Sequence, residues 1–132
     1  MSDRAHEVMD YLYSEGDVDI ILFGYVLGLV SSEGNDNLYK KSPRKRLTDA
    51  IALVRFLLSS GDFKVGKTFR DDGDNIKYEI FSDFEKFIEI VNSSFLKGGI
   101  DDVDLITQTW LKKISRNDRL PKIPEYIEDI FK

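Results

Sequence analysis

Cysteine is absent from the 132 residues. That excludes disulfides, thiol nucleophiles and cysteine-ligated metal centres. Histidine occurs once, at His6, so no site can rest on two imidazoles; a lone helical histidine beside Glu7 and Asp10 reads as a surface residue. Long apolar runs are also missing. The longest, Ile20 to Val30, is interrupted by Gly24 and Gly28 and falls well short of the ~20 residues that span a bilayer. The N-terminal MSDRAHEVMD carries no signal-peptide pattern. These absences together give the expectation of a soluble cytoplasmic protein with no cofactor and no metal site.

What is present suffices for one core. Hydrophobic residues make up 42% and charged residues 33% of the chain, which argues against disorder and for a single domain over 1–132. The net charge of -5 repels nucleic acid and favours basic partners.

The strongest local signal is SPRKRLTDAIALVRFLLSSG. Leu47, Ala50, Ile51, Val54, Leu57 and Leu58 recur at helical spacing, and Leu53 and Phe56 widen the face. Ser42 suits the cap, Pro43 the first turn and Gly61 the stop. A helix covered on more than one side is expected here, as the centre of the fold. Before it, Ser2 or Asp3 can cap a helix with Ala5, Val8, Met9, Leu12 and Tyr13 on one face, ended by Glu15-Gly16. Ile20–Val30 reads as a buried helix, with a pair of short strands as the alternative; Gly24 and Gly28 would admit a close neighbour. SSEGNDNLYKK is a loop by composition.

After the central helix, Phe63, Val65, Tyr78 and Ile80 alternate with charged residues around the turn DDGDN, the period of a hairpin. Ser82-Asp83-Phe84-Glu85 reads as a capping box for a helix bearing Phe84, Phe87, Ile88, Val91 and Phe95 and stopped at Gly98-Gly99. Asp101 or Asp102 then caps a fifth helix, with Val103, Ile106, Trp110 and Ile114 inward. SRNDRLPKIP is a linker, and PEYIEDIF a short last helix. The expected fold is mainly α (α+β): five to six helices, with one small antiparallel hairpin between the third and fourth.

Three features bear on function. Gly61 to Thr68, GDFKVGKT, satisfies the phosphate-binding pattern through Gly61, Gly66, Lys67 and Thr68. A true P-loop needs a buried strand before it and a helix directly after, and neither flank fits, so the match reads as a helix stop and a hairpin strand. Lys40, Lys41, Arg44, Lys45 and Arg46 crowd a helix N-terminus, where positive charge is unfavourable. They form either a solvated helix start or a basic patch, which could contact nucleic acid. Acidic residues cluster at Asp71, Asp72 and Asp74, and at Asp101, Asp102 and Asp104. Several serve as turn and cap residues; as a face, they would suit a basic protein partner. The first cluster is no EF-hand, because with Gly73 at the sixth position Thr68 and Arg70 occupy the first two ligand places.

Leu57, Leu58, Gly61, Phe63, Gly66 and Ser82, within LVRFLLSSGDFKVGKTFRDDGDNIKYEIFSDFEKFIEIVNSSF, carry a resemblance over about a third of the chain. The pattern resembles a segment of small uncharacterised bacterial proteins and of immunity proteins of polymorphic or contact-dependent toxin systems. The resemblance implies a small, acidic, cytosolic, non-enzymatic binding protein that blocks a toxin domain. It supplies no catalytic residue. A nucleic-acid-associated regulator using Lys40–Arg46 is the alternative, and a P-loop nucleotide-binding protein the third reading.

Overall fold

A computed structural model describes residues 4–34 and 37–132. In chain order the elements are α1 (Arg4–Val18), β1 (Ile21–Leu22), α2 (Phe23–Ser31), β2 (Ser32–Gly34), β3 (Asn37–Leu38), α3 (Pro43–Ser59), β4 (Phe63–Arg70), β5 (Ile76–Ile80), α4 (Phe84–Gly98), α5 (Val103–Thr107), β6 (Thr109–Lys113) and α6 (Glu125–Glu128), followed by a 3₁₀ turn, Asp129–Phe131. Among the described residues no helix is long and apolar enough to cross a membrane.

The expectation of one small hairpin is wrong. β1, β6, β4 and β5, in that order, form a four-stranded antiparallel sheet, and the fold is α+β. The missing strand lies in the stretch expected to continue the fifth helix. Val103, Ile106 and Trp110 satisfy a helical spacing, but Val103 and Ile114 are exposed and the helix ends at Thr107. TWLKK then alternates. Thr109, Leu111 and Lys113 are buried with the core face, opposite Lys67, Val65 and Phe63 of β4. Pairing with β6 turns β4 into an inner strand, which satisfies the second row of its backbone N–H and C=O groups.

Sheet register divides the side chains between two faces. Ile21, Phe63, Val65 and Leu111 join one core cluster with Leu12, Leu53, Leu57 and Phe87. Trp110 is buried on the opposite face, across from Gly66. A Cβ at Gly66 would lie 2.4 Å from the indole ring and 2.6 Å from the Glu79 carbonyl oxygen. Gly66 is therefore a close-approach glycine of the sheet.

α3 matches its expectation. The Ser42 side chain accepts from the Lys45 amide and Pro43 occupies the first turn. Leu47, Ala50, Leu53, Val54, Phe56 and Leu57 are buried, with Ile51 and Leu58 packed at the edge. Gly61 follows at φ 84°, a left-handed conformation suited to glycine.

Other boundaries moved. α1 runs past Gly16 to Val18; a Cβ at Gly16 would sit 2.9 Å from Lys113 Cβ and 3.1 Å from the Phe63 ring, so this glycine serves packing and not termination. The Ser2 or Asp3 cap lies outside the described residues. Over Ile20–Val30 the helix reading holds from Phe23 onward as α2, preceded by a two-residue strand, Ile21–Leu22; the pair of short strands does not form there. Part of SSEGNDNLYKK pairs as β2 and β3. Asp83, not Ser82, caps α4, accepting from the Glu85 amide at 3.0 Å, and Gly99 at φ 79° ends it.

Candidate protein-binding surface

The basic run, unexplained by sequence, has a structural use. Lys41 donates to the Val30 carbonyl at 2.8 Å and to the Ile130 carbonyl at 2.6 Å. Both oxygens lie at the ends of helical segments, where carbonyls lack intrahelical partners. The same ammonium lies 2.9 Å from an oxygen of buried Asp49, a charge contact, while Lys45 donates to the other oxygen at 2.7 Å. Arg44 donates to the Asn92 side chain at 3.2 Å and lies over the Phe95 ring. Lys40 is exposed and Arg46 half-buried. Within the run Lys45 and Lys41 pair with the Asp49 carboxylate, and Lys41 also joins α2, α3 and the C-terminal segment.

The two acidic clusters differ. Asp71 accepts from the amides of Gly73 and Asn75. The hydrogen bond from the Asn75 backbone, then that from Gly73, holds its carboxyl below the usual range. It shapes the β4–β5 turn, whose Asp74 sits at φ 61°; Asp72 and Asp74 are exposed at the tip. Asp102 caps α5 through the Leu105 amide at 3.0 Å. Asp101 and Asp104 remain exposed beside it, Asp104 within 3.7 Å of Lys97. Asp71 and Asp102 are thus engaged by backbone, and Asp72, Asp74, Asp101 and Asp104 present charge outward.

An apolar groove of about 340 Å³ opens beside α5, lined by Leu22, Gly24, Tyr25, Gly28, Leu29 and Ile106. The two glycines of α2 have separate roles. Gly24 packs against Ile106, whose Cγ2 would be 2.4 Å from an added Cβ, whereas among the described residues nothing lies within 4 Å of that position at Gly28. Close approach holds at Gly24 alone; Gly28 leaves the groove open. Ile106 belongs to the same short helix as Asp104, so an apolar hollow and an exposed carboxylate share one element.

GDFKVGKT has no phosphate-loop geometry. Phe63 to Thr68 belong to β4, which pairs with β5 and β6. The Thr68 amide donates to the Gln108 carbonyl and the Thr68 hydroxyl accepts from the Trp110 indole at 3.0 Å. A phosphate cradle needs converging unpaired amides, and the ladder uses them here.

A buried polar cluster escaped the sequence reading altogether. Asp62 accepts from the Tyr13 hydroxyl at 2.5 Å and from Ser115 at 2.6 Å. Lys113, with its ammonium over the Tyr13 ring, donates to Asp17 at 2.6 Å. Burial opposes ionisation of Asp62, but hydrogen bonds from Ser115, Tyr13 and Asn117 with the Lys113 charge outweigh it and lower its pKa. Burial, then the bond to Asp62, pushes the Tyr13 hydroxyl up to about 12. The cluster joins α1 to the beginning of β4 and the end of β6, a fold-securing role. Tyr25, Leu29 and Ile106 of the groove were also missed. The signal available for them was a tyrosine between two glycines four apart, which thins one face of α2.

Comparison with protein-family models, curated proteins and solved structures finds no significant match.

Proposed function

We propose that the chain is a non-enzymatic protein-binding module of the cytoplasm, an immunity protein that neutralises a bacterial toxin domain. One observation carries this reading. The α2/α5 groove offers an apolar seat on the same short helix as exposed Asp104, with exposed Asp101 just before that helix's cap. Carboxylates accelerate encounter with a basic partner, and a desolvated apolar anchor lengthens residence. The nucleic-acid alternative loses ground, because Lys41 and Lys45 of the basic run are held by Asp49.

The test looks for a large secreted protein with a variable C-terminal domain encoded immediately upstream and co-expresses that domain with this chain, reading cell growth and isolation of the complex. Asp101→Lys with Asp104→Lys should slow association roughly tenfold at low salt. Gly28→Leu, placed where nothing crowds the side chain, should fill the groove and speed dissociation. A complex whose rates ignore both changes would place the interface elsewhere; no protection from the toxin would remove the reading.

A further inference from the structure

β5 is the terminal strand of the sheet, and all five of its residues are exposed. Its hydrogen-bond alternation is fixed by its neighbours. The Phe81 amide donates to the Val65 carbonyl, and the Asp71 amide to the Asn75 carbonyl. Odd-numbered residues of β5 therefore turn their backbone groups towards β4, and the N–H and C=O of Ile76, Tyr78 and Ile80 point outward. Neither proline nor glycine interrupts this edge, and its charged guards, Lys77 and Glu79, are of opposite sign. Ile76, Tyr78 and Ile80, at 56%, 68% and 43% exposure, form an apolar row on one face; Lys77 and Glu79 occupy the other.

From this arrangement we infer that β5 pairs with β5 of a second copy of this chain, antiparallel about a two-fold axis at Tyr78. Charge selects that register among the neighbouring ones. An axis at Lys77 sets two lysines directly opposite, and an axis at Glu79 sets two glutamates opposite, each repulsive. With the axis at Tyr78, Lys77 of each copy faces Glu79 of the other, Ile76 faces Ile80 and Tyr78 faces Tyr78. The outward N–H and C=O groups of residues 76, 78 and 80 then face their counterparts as hydrogen-bonded pairs. Lys77 is available for this exchange, since its own contact with Asp71 is loose at 3.9 Å. The two sheets become one. An interface built on two five-residue strands falls below the ~1,200 Å² of a stable complex, so the dimer is reversible and concentration-dependent. The inference does not rest on the toxin-binding reading.

Sedimentation equilibrium over a wide range of protein concentration reads the association directly. Wild-type chain should pass reversibly from monomer to dimer. Lys77→Glu alone and Glu79→Lys alone each create like-charge pairs and should shift the midpoint concentration upward, roughly tenfold or more. The double exchange Lys77→Glu/Glu79→Lys should restore wild-type behaviour, and an equimolar mixture of the two single variants should form the mixed dimer. Thermal unfolding at dilute concentration verifies that each variant is folded. A wild-type chain that remains monomeric up to about 1 mM overturns the proposal. Single variants that dimerise like wild type overturn it too, as does a double exchange that fails to recover association.

Discussion

Lys41 shows how much one side chain can alter the meaning of a charge run. Five basic residues within seven positions suggest a surface made for an anion. The one at position 41 is almost fully enclosed, its side chain 9% exposed, and faces an Asp49 side chain 4% exposed. Without Lys41, Asp49 keeps only the more exposed Lys45, and the Val30 and Ile130 carbonyls lose their donor. Lys41→Met should therefore destabilise the chain by about 1–3 kcal/mol, measured by urea denaturation. Lys45, at 58% exposure, touches the same carboxylate, and Lys45→Met should cost no more than about 1 kcal/mol. Sequence could not separate the two lysines, because what distinguishes them is the approach of Val30 and Ile130, eleven and eighty-nine positions away.

Elements built from local periodicity were legible: α3 with its Ser42 cap, the β4–β5 hairpin, and the Gly99 stop of α4. Elements decided by distant partners were not. β6 has a helical spacing of apolar residues when read alone, and becomes a strand because β4 offers an open edge with Gly66 beneath Trp110. Its core-facing Lys113 further hid the alternation. Of the candidate interface, the carboxylates could be read from sequence, but the groove could not, since it depends on where Ile106 comes to lie. Gly24 and Gly28 give a test on one helix. Gly24→Ala meets Ile106 and should destabilise by about 1–3 kcal/mol, while Gly28→Ala enters open space and should stabilise by up to about 1 kcal/mol through helix propensity. Chemical denaturation of the pair compares them directly.

For the whole molecule, the Asp62–Tyr13 cluster ties opposite ends of the pH range to one fold. Asp62 has a lowered pKa in the fold, so its contribution is present above the ordinary carboxylate value and lost as pH falls through the folded one. Tyr13 is raised from 10.0 to about 12. Its contribution is complete below pH 10 and lost as pH rises through about 12. Urea midpoints across pH should show both limbs. Tyr13→Phe should flatten the alkaline limb, and Asp62→Asn the acid limb, each at some cost in absolute stability because the remaining partner loses a buried hydrogen bond.

The strand order β1-β6-β4-β5 also governs when the fold can close. β1 is made early in synthesis but pairs only with β6, some ninety positions later, and β4 has its second partner there too. Until Lys113 has left the ribosome, β1 is without a sheet partner and β4 keeps one row of backbone groups open. The sequence separation of these pairings lengthens the loops that must be closed and slows folding relative to a helical bundle of this size. β4 and β5 can meet early as a local hairpin. The growing chain thus carries an open strand beside its core helix over the whole interval in which residues 81 to 108 are added.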